Sequence, residues 1–253
     1  MRERVAVTGE GPTDYGCRKF DEKSRQYQWQ WGPVKVILER CMKGTGRKES
    51  FDWIPVEKEE WKRTKLLRSD KGLRGRAIPA RKFRNLCREQ HIFYGIFYTD
   101  ADRGEDSGKE WYKAEKHFNL IYEEVRSGLG EEGEENRFIP MIPLKMIENW
   151  LLSDTAAYEK CFGRIPTNPA LPRKPELIWG DKDSPESDYP KNYLSRVLAD
   201  VSEGKKESNR EVFCELAEGT DIQIMRKSCP LSFDRFYKDI QNLYLTIKSS
   251  QNS

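Results

Sequence analysis

Over the first 155 residues, apolar runs with β-type composition alternate with segments of helical periodicity. A short apolar run at 4–8 gives way to Gly9, Glu10, Gly11 and Pro12, a turn whose proline suits an early helical position, with Thr13 and Asp14 in the first turn. A polar, aromatic-rich stretch at 20–31 follows. The pattern then predicts a helix over 33–42, a strand over 51–56, and helices over 58–67 and 79–88. The run at 92–99 is almost continuously apolar or aromatic, as a strand covered on both faces would be. A helix over 108–126, a Gly/Glu-rich loop over 127–135 and a strand over 138–142 lead into the apolar segment 143–152. Such alternation predicts βαβ units, hence an α/β fold with a mainly parallel sheet flanked by helices. Four prolines between 166 and 175 mark a change of character, and helical periods recur at 193–201, 210–218, 222–228 and 232–247. The expected organisation is an α/β domain over 1–155 and a mostly helical C-terminal region over 156–253.

Composition narrows the chemistry. The 253 residues suffice for one substantial core. No apolar run approaches the roughly 20 residues needed to cross a bilayer, so no membrane partner is expected. A strand pattern begins almost at once, without a signal-peptide h-region. Six cysteines, at 17, 41, 87, 161, 214 and 229, form no C-x-x-C pair. That speaks against a zinc ribbon or disulfide framework and fits a reducing, cytoplasmic location. With only His91 and His117 available, His-metal nucleases and hydrolytic triads have few candidates, and carboxylate chemistry remains.

The net charge of +3 conceals an asymmetry: residues 62–88 hold eleven Lys/Arg against Asp70, a local +10 that leaves −7 elsewhere. Such a block suits either a solvated face or a phosphate-backbone footprint. Its interrupting glycines, Gly72 and Gly75, favour a loop that approaches a ligand, and Arg74, Arg76, Arg81 and Arg84 are the expected nucleic-acid contacts.

Carboxylates collect at the predicted strand ends, where open α/β sheets bind ligands. Glu10 and Asp14 follow the first strand; a helix cap and a metal-ligand pair both account for them. Asp100 and Asp102 follow the buried run at 92–99, spaced to face one side, as either turn residues or cation ligands. Glu148 lies inside the apolar segment 146–152, where a carboxylate needs a metal, a lysine such as Lys145, or a solvent-facing position.

Together these residues resemble the TOPRIM domain of topoisomerases, primases and overcoming-lysogenization-defect (OLD) type nucleases. Gly9-Glu-Gly-Pro-Thr-Asp14, Ile147-Glu-Asn-Trp-Leu-Leu-Ser-Asp154 and Cys229-Pro-Leu-Ser-Phe233 are more similar still to a stand-alone TOPRIM-like bacterial group linked to phage defence. The resemblance implies a nuclease using Mg²⁺ or Mn²⁺, two ions in the usual scheme. Glu10, Asp14, Asp100 and Asp102 would hold the metal. Glu148 would be a further ligand or base, and Lys145 would stabilise transition-state charge. The interval from Glu10 to Asp100 exceeds a minimal TOPRIM, implying a basic insertion at about 58–90. No G-x-x-x-x-G-K-[ST] loop is present, so the ATPase that accompanies OLD-type nucleases would be a separate subunit. Nucleic acid is the expected partner, and a homo-oligomer is compatible with the sequence. Three rivals stand beside this expectation: a nucleotide-sugar transferase, which also uses Asp-x-Asp; a binding or assembly subunit without catalysis; and a sensor of a phage component.

Overall fold

The computed structural model describes residues 2–43, 51–101, 110–130, 134 and 136–251. In chain order the elements are β1 (Arg4–Thr8), β2 (Gly16–Asp21), β3 (Gln26–Trp31), α1 (Pro33–Lys43), β4 (Asp52–Pro55), α2 (Lys58–Lys62), α3 (Ala77–Glu89), β5 (Tyr94–Tyr98), α4 (Trp111–Leu129) and β6 (Phe138–Met141). There follow α5 (Ile147–Leu151), α6 (Thr155–Phe162), α7 (Pro190–Ser202), α8 (Arg210–Gly219), α9 (Ile222–Ser228) and α10 (Phe233–Gln251). The expected α/β class, parallel sheet and C-terminal helices are all present.

The main sheet has the order β4-β1-β5-β6, and every pairing is parallel. Side chains alternate between its faces as strand geometry demands. Val5, Val7, Ile96, Tyr98, Ile139 and Met141 point to one side, among α1, α5, α7, α8 and α10. Ala6, Phe97 and Phe138 point to the other, against α2, α3 and α4. The helical C-terminal region therefore packs directly on the sheet and shares its core.

Right-handed crossovers explain this layering. From β1 the chain steps one way, through α1, to β4; it then returns through α2 and α3 to β5 and continues through α4 to β6. Opposite directions of travel require opposite faces. The connections leaving the neighbouring strands β1 and β5 consequently diverge, which opens a crevice between their carboxyl ends. The sequence places Asp14 and Asp100 at that crevice.

Three stretches differ from expectation: the helix expected over 58–67 ends at Lys62, α6 stands where no element was expected, and the first turn is not the start of a helix. Residues 11–15 form a wide π-helical turn, but no helix continues from it; the chain enters the antiparallel hairpin β2–β3 instead. The strict Gln/aromatic alternation of Gln26–Trp31 is the strand signal behind this.

Candidate active site at the carboxyl edge of the sheet

Gly9 ends β1, and its bareness sets the geometry of the crevice. A methyl group there would stand 2.8 Å from the Tyr98 ring and 3.0 Å from Tyr15 Cβ. The close approach lets the following turn fold Asp14 back over the sheet edge, where it is buried. Gly32, at the foot of the hairpin, packs on the Asp14 backbone for the same reason.

Tyr98, the last residue of β5, is buried and its hydroxyl reaches two carboxylates. Its Oη lies 3.0 Å from Asp14 Oδ2 and 2.9 Å from Asp100 Oδ1. Glu148, in the first turn of α5, is buried, and its Oε2 has no hydrogen-bond donor among the described residues. Burial pushes the Glu148 carboxyl up to about 7, Asp14 pushes the same way, and Lys191 opposes both. Burial likewise raises Asp14, against the Tyr98 hydrogen bond and the charge of Lys191. Lys191, exposed near the start of α7, loses some basicity to desolvation but gains more from Glu148, Asp14 and Asp100. The centre is thus Asp14, Tyr98, Asp100, Glu148 and Lys191, contributed by both sides of the crevice and by the C-terminal helices.

Of the residues expected from sequence, Asp14, Asp100 and Glu148 come together. Asp102 lies outside the described residues. Glu10 is exposed at the rim, its carboxylate 2.6 Å from Lys58 Nζ. Lys145 is buried with its ammonium 4.9 Å from the Trp179 ring centroid; the cation acting electrostatically on Glu148 is Lys191. Tyr98 and Lys191 carried no sequence signal. One reads as part of an apolar strand, and the other is one lysine in a chain with 45 Lys and Arg residues.

The basic block is largely engaged within the fold. Arg84 is buried, bonded to Glu134 at 3.1 Å and lying over Phe138. Arg81 donates to the carbonyls of Ser127 and Gly130 and pairs with Asp70. Arg76 donates to the Asp100 carbonyl, fixing the block to the end of β5. Arg74 is exposed, as are Arg63, Lys65, Arg68 and Lys71. These cations of the block face solvent.

The remaining motif residues build the platform under Glu148. Trp150 Nε1 donates to Ser232 Oγ at 2.7 Å, and its ring meets Phe233 edge-on at 5.0 Å and stacks on Phe236 at 5.9 Å. Asp154 caps α6 through Ala156 N and accepts from Asp221 N. The segments 147–154 and 229–233 therefore pack as one unit.

Asp14, Asp100 and Glu148 offer only hard oxygen ligands, the type that Mg²⁺ and Mn²⁺ prefer. An orphaned buried carboxylate oxygen is the kind of group a cation would satisfy. Among the described residues, however, no three acidic, His or Cys side chains form a ready-made cage.

A family model described as a domain of unknown function (DUF4276) matches residues 49–241. The match includes Asp100, Glu148 and Lys191 and begins after Asp14. No curated protein and no solved structure matches the chain. No helix among the described residues is long and apolar enough to cross a membrane.

Proposed function

The chain belongs to the DUF4276 family, and on that footing we propose that it is a Mg²⁺- or Mn²⁺-dependent nuclease hydrolysing phosphodiesters at the β1/β5 crevice. The observation that carries this reading is the set of buried Asp14 and Glu148 and half-buried Asp100, with the unsatisfied Glu148 Oε2. The TOPRIM-like motifs, which include the same acids, agree with it, and they alone support a role in phage defence with a separate ATPase subunit.

Asp14, Asp100 and Glu148 would hold the cation, which when bound supplies Lewis acidity toward a phosphate oxygen and lowers the pKa of water. Tyr98 orients Asp14 and Asp100 through its hydroxyl. Glu148, whose charged form burial disfavours, would be held ionised by the cation it ligates. Lys191 places positive charge beside all three carboxylates and would stabilise negative charge developing on the phosphate. Arg76, through its bond to the Asp100 carbonyl, sets the basic block against the end of β5, and exposed Arg74 is two residues away in sequence.

The test is cleavage of plasmid, single-stranded DNA and tRNA with Mg²⁺ or Mn²⁺, by wild type and by Asp14→Asn and Asp100→Asn. Metal-dependent cutting lost in both variants is expected. Nucleic-acid binding without cutting under any metal would instead favour the binding-subunit reading, to which the lack of a preformed cage among the described residues also points.

A further inference from the structure

The hairpin inserted between Asp14 and α1 has no part in the chemistry above. Its register pairs Gly16 with Trp31, Arg18 with Trp29 and Phe20 with Tyr27, and residues paired across an antiparallel ladder share a face. Trp31, Trp29, Tyr27 and Phe20 therefore line one face as an aromatic row. At the inner end, Trp29 and Trp31 pack at 4.9 and 5.7 Å from the ring of Tyr15, the residue after Asp14. At the outer end, Phe20 is 53% and Tyr27 71% exposed, their rings 5.4 Å apart and tilted by 66°. Four residue steps from the Gly16–Trp31 pair carry them roughly 13 Å along the hairpin. Two exposed rings so far from the core add little to folding.

Three cations stand near them against two acids. Lys19, Lys23 and Arg25 are exposed and form no ion pair among the described residues, Lys19 standing opposite Gln28 on the reverse face of the hairpin. Asp21 is occupied in closing the turn, accepting from Lys23 N, Ser24 Oγ and Gln28 Nε2 at 3.1, 2.8 and 3.2 Å; Glu22 is the other acid there. Arg18, on the aromatic face, pairs with Glu57, whose neighbour Lys58 pairs with Glu10. These two ion pairs tie the aromatic face to the carboxyl edge of the sheet, where the crevice opens.

We propose that this hairpin is a binding arm for single-stranded nucleic acid, with Phe20 and Tyr27 stacking on unpaired bases and Lys19, Lys23 and Arg25 contacting phosphates. A base has a free face to stack only when it is unpaired and unstacked, so the arm selects single strands over duplex. The proposal deepens the nuclease reading by naming the substrate form, and rests on that reading only for what happens at the base of the arm.

Binding is measured by fluorescence anisotropy of the full chain with labelled single-stranded DNA and RNA 20-mers, in EDTA so that no metal-dependent step intervenes. Phe20→Ala/Tyr27→Ala should weaken binding about tenfold or more, while Phe20→Tyr/Tyr27→Phe stays near wild type. Lys19→Gln/Arg25→Gln should flatten the slope of log affinity against log salt by about 0.7 per cation removed. All substitutions sit on exposed positions, and unchanged melting temperatures check that the variants fold. Equal affinity for wild type and the double alanine variant, or no binding by wild type, overturns the arm; the former would assign the aromatic pair to a protein partner. The two readings fail separately. Arm-dependent binding without metal-dependent cleavage removes the nuclease and leaves the arm, and cleavage indifferent to Phe20→Ala/Tyr27→Ala does the reverse.

Discussion

Asp14 and Asp100 share a single hydroxyl, that of Tyr98, at 3.0 and 2.9 Å. A phenol has one proton to donate, so it can satisfy one carboxylate only. The other is left to a charge partner, and Lys191 acts on both carboxyls. Burial disfavours the charged form of Asp14 against the Tyr98 hydrogen bond and Lys191, so a divalent ion there would supply charge that burial withholds. Tyr98→Phe keeps the buried ring and deletes the shared donor. It should lower Mn²⁺ affinity about 10–100-fold, read by calorimetric titration. Unchanged affinity would remove Tyr98 from the metal site.

Glu148 makes stability depend on pH in a defined direction. Its folded-state carboxyl, raised to about 7 chiefly by burial, binds a proton more tightly than the unfolded chain does near 4.5. The protein therefore loses stability as pH climbs through 7 and regains it on acidification toward 4.5. Glu148→Gln mimics the protonated form. It should exceed wild type by about 3 kcal/mol at pH 8, following the 1.36 kcal/mol per pKa unit scale, and match it near pH 4.5. Mn²⁺ at pH 8 should narrow the gap by stabilising wild type. Denaturant melts at the two pH values test this, and a gap that does not change with pH would sink it.

Arginines of one basic block should respond in two different ways. Arg84 is buried against Glu134 and Phe138, so Arg84→Ala should cost about 3 kcal/mol, as breaking buried ion pairs does. Arg74 is exposed, so Arg74→Gln should leave the melting temperature within a degree or two. It should instead weaken oligonucleotide binding and flatten its salt dependence by about one phosphate contact. Loss of stability in Arg74→Gln, or of affinity alone in Arg84→Ala, would contradict this division.

What was legible in the chain follows the reach of each signal. The apolar run containing Tyr94–Tyr98 and the periodic helices depend on local pattern, and they stand where that pattern places them. Asp14, Asp100 and Glu148 were visible because each interrupts or ends an apolar run. The hairpin was obscured because three glutamines and several charges dilute its aromatic alternation. Lys191 and Tyr98 could not be found by pattern at all. Their roles arise from the α7 start meeting the sheet edge and from a strand side chain ending beside two acids, and both are tertiary facts. The internal use of Arg81 and Arg84 is hidden likewise, because a run of cations looks the same whether its partners lie in solvent or across the fold.

Lys191 opposes the burial-driven rise of both the Asp14 and the Glu148 carboxyls. Lys191→Met should therefore push the Glu148 carboxyl further above 7, and Lys191→Arg should hold it near the wild-type value. Side-chain carboxyl NMR, with Glu148 assigned through Glu148→Gln, reads that titration directly and without any metal. If the nuclease reading holds, the same Met variant should lose cleavage about 100-fold or more, as removal of a preorganised charge does, with Arg restoring part of it. The titration and the cleavage rate separate the possibilities: a moved titration with full cleavage makes Lys191 an electrostatic neighbour without a catalytic part, whereas an unmoved titration would break the assignment of Lys191 to this centre.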